Sequence, residues 1–124
     1  MAEQKRLEDM NLEDKFNQLV EEWKKYCSRA DVQASSRSDK IRKCEAYRNI
    51  LKIGQEALPL VRELYNKDSS NDFELSMIQG HGLVCLVKEI VGDKFEIPEK
   101  IRGRIKEIEI YTADWLGEYL SRYV

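Results

Sequence analysis

His81 and Cys85 stand four residues apart, so on a continuous helix they share a face and could pair as base and thiol or help to hold a metal. A metal would need two more ligands, for which Cys27 and Cys44 are the available sulfur donors. Nucleophilic catalysis would need an oxyanion hole that no motif announces. The reading adopted is a partly buried histidine beside a core cysteine, with Gly80 and Gly82 leaving room for a close neighbour. Glu-x-x-Glu spacings suggest a carboxylate-bridged metal pair, but such bundles use Glu-x-x-His, and Ile78 stands three residues before the single histidine. Glu107 and Glu109 belong to a mixed-charge run from Lys100 onward that reads as a solvated face. No catalytic residue, metal or cofactor is expected, and the chain is read as a non-enzyme.

Two sets of residues point to binding instead. Lys24, Lys25, Arg29, Arg37, Lys40, Arg42, Lys43, Arg48 and Lys52 crowd into residues 24–52, with Tyr26 and Tyr47 among them. That stretch holds nine basic and three acidic side chains, between segments 1–23 and 53–96 that each carry a net charge of -4. Lys40, Arg42, Lys43, Arg48 and Lys52 are the expected binding face, suited to phosphates, to an acidic protein surface or to an acidic stretch of a second copy. The second set is aromatic: Tyr111, Trp115, Tyr119 and Tyr123 recur on one side of the last helical segment. Trp115 and Tyr119 are expected to complete the core, leaving Tyr111 and Tyr123 at its rim as interface aromatics.

The elements that must position these groups are helical throughout. The chain has 124 residues, 42% of them hydrophobic and 35% charged, which describes one globular domain. No apolar run nears the roughly 18 residues that span a bilayer, and the polar, acid-containing start does not resemble a signal peptide. Three cysteines without a CxxC pair suggest neither a disulfide framework nor a zinc knuckle, so a reducing, cytoplasmic location is expected. Residues 1–10 read as a charged tail, and 11–124 as a single helical domain.

Asn11 with Asp14 is a capping signal for a helix from about 12 to 28, whose apolar face is Leu12, Phe16, Leu19, Val20, Trp23 and Cys27. Asp31 to Arg37 suits a loop, and Ser38 suits the cap of a second helix with Ile41, Cys44, Tyr47 and Leu51 inward. Gly54 ends that helix; Pro59 sits near the start of a third, with Ala57, Leu60, Val61 and Leu64 inside. Asn71 or Asp72 caps a fourth, in which Gly80 and Gly82 imply close approach of another helix or a break. Gly92 stops it, and Pro98 is expected in the first turn of a fifth and longest helix.

The stretch from Ile53 to Leu64, glycine stop followed by Ala-Leu-Pro-Leu, resembles the inter-helix turn of HEAT and armadillo-type repeats. More of the chain, from Ala46 to Leu51 through Gly92, Pro98 and Gly103 to Ala113-Asp114-Trp115-Leu116, looks like a group of small, uncharacterised bacterial all-helical proteins. Where that group carries tryptophans ahead of its Ile-x-Gly, this chain has Leu83 and Cys85. The resemblance implies an all-α fold of about five amphipathic helices, in a compact bundle or short HEAT-like array, that binds macromolecules through an exposed helical surface. The expected function is a non-catalytic interaction or inhibitor-type module with a protein partner, a second copy of itself included. The alternative is a nucleic-acid-associated protein using residues 24–52; the lesser alternative is a small enzyme or metal site at His81 and Cys85. No membrane association is expected.

Overall fold

The computed structural model describes residues 11–33 and 43–123, so the 1–10 tail, the Ser38 cap and Ile41 lie outside the described residues. Asn11 Oδ1 accepts the Asp14 N–H at 2.8 Å and starts α1, Leu12–Cys27. Phe16, Leu19, Val20, Trp23 and Cys27 return at helical spacing and are all buried. Part of the expected loop is a single helical turn, α2, Ala30–Gln33, which buries Val32.

The second helix departs from the sequence reading. The chain is extended at Cys44 (φ -101°, ψ 155°), and α3 runs Glu45–Ile53. Cys44 is therefore not an inward helical position but the N-cap, its sulfur accepting the Tyr47 N–H at 3.3 Å. Gly54 ends α3 at φ +74°, a value that side chains with a Cβ rarely adopt. A 3₁₀ turn, Gly54–Ala57, leads directly into α4, Leu58–Tyr65, with Pro59 in its first turn where no N–H is required. Leu58, Val61 and Leu64 fill the interior, and Leu60, expected inside, is only half-buried.

Asp72 caps α5, Phe73–Met77, by accepting the Leu75 N–H at 3.1 Å. The helix then widens into a π segment, Ile78–Gly82, and resumes as α6, Leu83–Val91. Both expectations for the paired glycines hold. The helical regularity breaks there, and a Cβ on Gly80 would stand 3.2 Å from Ile105 Cγ2. Gln79 fixes the bulge: its buried amide donates to the carbonyls of Leu64 and Lys67, each at 2.9 Å, and accepts the Ser69 hydroxyl at 2.7 Å. One of those carbonyls belongs to the last turn of α4, where it also accepts the Lys67 N–H at 3.3 Å, and the other to the loop that follows the helix.

Pro98 does not open the last helix. It precedes a 3₁₀ turn, Glu99–Ile101; the chain then reverses at Gly103 (φ +84°), and α7 runs Ile105–Tyr123. Ile97, before the turn, and Ile101, at its end, are both half-buried.

The helices form two packed pairs, α1 with α3 and α4 with α7, and the run from Phe73 to Val91 lies between them touching α1, α3 and α7. Trp23 meets Tyr47 edge to face at 5.3 Å, the Tyr47 hydroxyl donates to Glu89 on α6, and Lys24 reaches Asp72 at 2.6 Å. One core results, from Phe16 and Trp23 through Ile50, Leu58 and Leu86 to Phe95 and Leu116. The fold is all-α, with five main helices once Phe73 to Val91 is taken as one run and with no strand among the described residues. No helix among those residues is long and apolar enough to cross a membrane.

Candidate binding surfaces

Lys43, Arg48 and Lys52 of the expected basic face are exposed; Lys40 and Arg42 lie outside the described residues. Ala46, Tyr47 and Ile50 turn α3 inward, so Arg48 and Lys52, one turn apart, occupy its outer ridge. Among the described residues neither makes an ion pair, although Glu45 shares the ridge. Of the larger stripe, Arg37 also lies outside the described residues, and two members are engaged elsewhere. Lys24 is held by Asp72 and by Glu21 at 3.5 Å, and Arg29 is held by Asp31 at 3.1 Å while it covers the Tyr26 ring. Tyr47 is in the core, because a residue one step from Arg48 on a helix turns about 100° away from it.

The Lys24–Asp72 pair carries the clearest electrostatic signature. The ammonium hydrogen bond, with help from the Leu75 N–H, holds the Asp72 carboxyl below its ordinary value, and the same bond raises Lys24. Its place at a helix cap, joining α5 to α1, makes it a structural tie.

The aromatic residues converge around Phe95, which the sequence reading passed over because it stands in a loop. Phe95 is fully buried and meets Trp115 edge to face at 5.0 Å and Tyr111 at 5.9 Å. Trp115 stacks on Tyr119 at 4.9 Å, and the Tyr119 hydroxyl donates to Gln55 Oε1 at 2.8 Å. Tyr119 completes the core as expected, while Tyr111 is half-buried at the rim with its hydroxyl on the Glu96 carbonyl at 3.0 Å. The side chain of Tyr123 lies outside the described residues. Trp115 is itself half-buried and borders two depressions, one with Lys94, Glu118, Tyr119 and Arg122, the other with Arg62, Tyr111, Asp114 and Gly117.

Arg62 is the second residue that the sequence reading missed. Its guanidinium lies across Gly117, where a Cβ would stand 3.2 Å from Nη2. A glycine inside a long helix costs about 1 kcal/mol relative to alanine. That unfavourable choice was the available signal that something passes close to α7.

His81 and Cys85 are both half-buried, in the π segment and in α6, and no group of three or more His, Cys, Asp or Glu among the described residues is placed to hold a metal. Burial pushes the Cys27 thiol up to about 12 and raises Cys44 as well. The Tyr65 hydroxyl is the buried side-chain polar atom left without a well-formed hydrogen bond among the described residues. Thr112 lies beside it, but the Thr112 hydroxyl donates to the Ile108 carbonyl at 2.7 Å. Comparison with protein-family models, curated proteins and solved structures finds no match to this chain.

Proposed function

We propose that this chain is a non-catalytic cytoplasmic interaction module that binds a protein partner across the outer face of α7, around Trp115. The observation that carries this reading is the half-buried Trp115, backed by the rings of Phe95 and Tyr119 and bordered by depressions with charges of both signs. A rigid aromatic anchor inside a polar rim is the arrangement that concentrates binding energy at protein interfaces. The likeness of the α3–α4 turn to HEAT-type repeats supports the same reading. The test compares proteins retained from a native lysate by the wild type, by Arg62→Glu with Asp114→Lys, and by Arg48→Glu with Lys52→Glu. A partner lost with the first double variant and kept with the second supports the α7 face. A partner kept by the first, or none retained at all, defeats it.

A second reading rests on Arg48 and Lys52, exposed one turn apart on α3 and facing away from the core. If that ridge contacts nucleic acid, affinity for a DNA or RNA duplex falls steeply with added salt and is lost in the Arg48→Glu, Lys52→Glu variant. Absence of binding at low salt removes this reading.

A further inference from the structure

The α1/α3 pairing leaves two thiols, Cys27 and Cys44, unused by either binding surface. Trp23 on α1 faces Tyr47 on α3. One turn further along, α1 ends at Cys27; three residues before Tyr47, α3 begins at its cap, Cys44. Both helices therefore deliver a cysteine to the end of the hairpin where residues 28–43 connect them. Consistent with that placement, the Cys44 sulfur is near enough to help keep the Cys27 thiol protonated, and both sulfurs bear on Tyr26.

The two cysteines differ in access and surroundings. Cys27 is fully buried. Cys44 is also buried, at 6% exposure, but it lines a solvent-open depression of about 340 Å³ with Glu22, Glu45, Ala46 and Asn49. Its sulfur receives the Tyr47 N–H at the start of a nine-residue helix, an arrangement that favours the thiolate. Arg48 acts in the same direction from one turn along.

We propose that Cys44 and Cys27 are a thiol–disulfide couple, with Cys44 as the sulfur that a hydroperoxide oxidises and Cys27 as the thiol that resolves it. The Cys44 thiolate attacks the terminal oxygen of ROOH. An S–O bond forms, the O–O bond breaks, and the released alkoxide takes a proton to leave as ROH. Cys27 loses its proton and attacks the oxidised sulfur; the S–S bond forms as the S–O bond breaks, and water leaves. Two thiols are oxidised and one peroxide is reduced, and a thiol reductant restores the starting state. Such transient bonds are the kind that a reducing compartment allows. The disulfide would close residues 27–44, Lys43 among them, into a ring that leads directly into the outer ridge of α3.

Burial opposes the reaction by holding both thiols protonated, with Glu22 and Tyr26 of α1 and Glu45 beside Cys44, and Glu74 of α5 near Cys27. Oxidation is therefore slow near neutrality and accelerates by about tenfold per pH unit while the attacking thiol remains mostly protonated.

The test is incubation of the folded full-length protein with hydrogen peroxide, alkylation of remaining thiols in denaturant, and peptide mapping by mass spectrometry. The expected result is a loss of two hydrogens located to a Cys27–Cys44 linked peptide, with Cys85 alkylated and the link reversed by dithiothreitol. In Cys27→Ser, Cys44 stops at the sulfenic acid, which dimedone traps. A disulfide through Cys85 or between two chains, or full alkylation of all three cysteines after peroxide, overturns the proposal. Overoxidation of Cys44 without a link overturns it too. The wild-type map decides alone if Cys27→Ser does not fold.

Discussion

Gln79 and Tyr65 show how burial settles the value of a polar group one atom at a time. Gln79 spends its amide on the Leu64 carbonyl in the last turn of α4 and on the Lys67 carbonyl beyond it, and its oxygen on Ser69, so replacing it takes a partner from the Lys67 carbonyl and the Ser69 hydroxyl. Each such loss costs about 1–3 kcal/mol, and Gln79→Leu is expected to lower the urea-derived unfolding free energy by about 2–4 kcal/mol. Tyr65 presents the opposite case, with a hydroxyl removed from water and no well-formed bond in return. Tyr65→Phe should therefore leave stability within about 1 kcal/mol of wild type or raise it. A loss beyond that range would mean that Thr112 gives the hydroxyl a real hydrogen bond. Neither role was legible in the sequence. Nothing local to Ile78, Gly80 and His81 marks Gln79, whose partners lie ten, twelve and fifteen residues away.

Helix boundaries were legible where a signal acts within three or four residues, and illegible where a distant contact decides. Asn11, Gly54, Asp72 and Gly92 each do locally what their chemistry predicts. Cys44 and Pro98 do not: sulfur is an uncommon cap, and a 3₁₀ turn follows Pro98 where Ile97, just before it, packs against the core, in place of the helical first turn that proline favours. The candidate surfaces divide in the same way. The rim position of Tyr111 follows from helical period, whereas Arg62 on Gly117 and Phe95 under Trp115 need the tertiary fold. Asp72 links the local and tertiary levels, as cap of α5 and as partner of Lys24 on α1. Its folded pKa lies below the ordinary value of 3.8, so the stabilisation is complete above that value and is lost as pH falls through the depressed one. Lys24 has the opposite sign: its contribution is complete below 10.5 and is lost as pH rises through the raised value. Asp72→Asn keeps a capping oxygen but loses the charge, so urea unfolding should show it less stable than wild type at about pH 7, by an amount that is smaller at about pH 3. Asp72→Ala removes the cap as well, and should remain about 1 kcal/mol worse than Asp72→Asn at both pH values.

At the scale of the whole molecule, the question is whether the α1/α3 pair and the α4/α7 pair unfold together. The run from Phe73 to Val91 contacts both, with Tyr47 tied to Glu89 on one side and Gly80 against Ile105 on the other. Each pair also contains one tryptophan: Trp23, fully buried against Tyr47, and Trp115, half-buried between Phe95 and Tyr119. Removing either ring costs stability, so the fair comparison is within a variant, between fluorescence and far-ultraviolet dichroism recorded on the same urea series. In Trp115→Phe the remaining indole reports α1/α3, and its emission should be the bluer in the native state. In Trp23→Phe the remaining indole reports α7 at its partly wetted face. A single continuous core requires that fluorescence and dichroism share one midpoint in each variant. If Trp115 emission changes at lower urea than the helical signal, α7 separates before the rest unfolds. The face around Trp115 would then be a lid on the core, and binding there would be coupled to its docking.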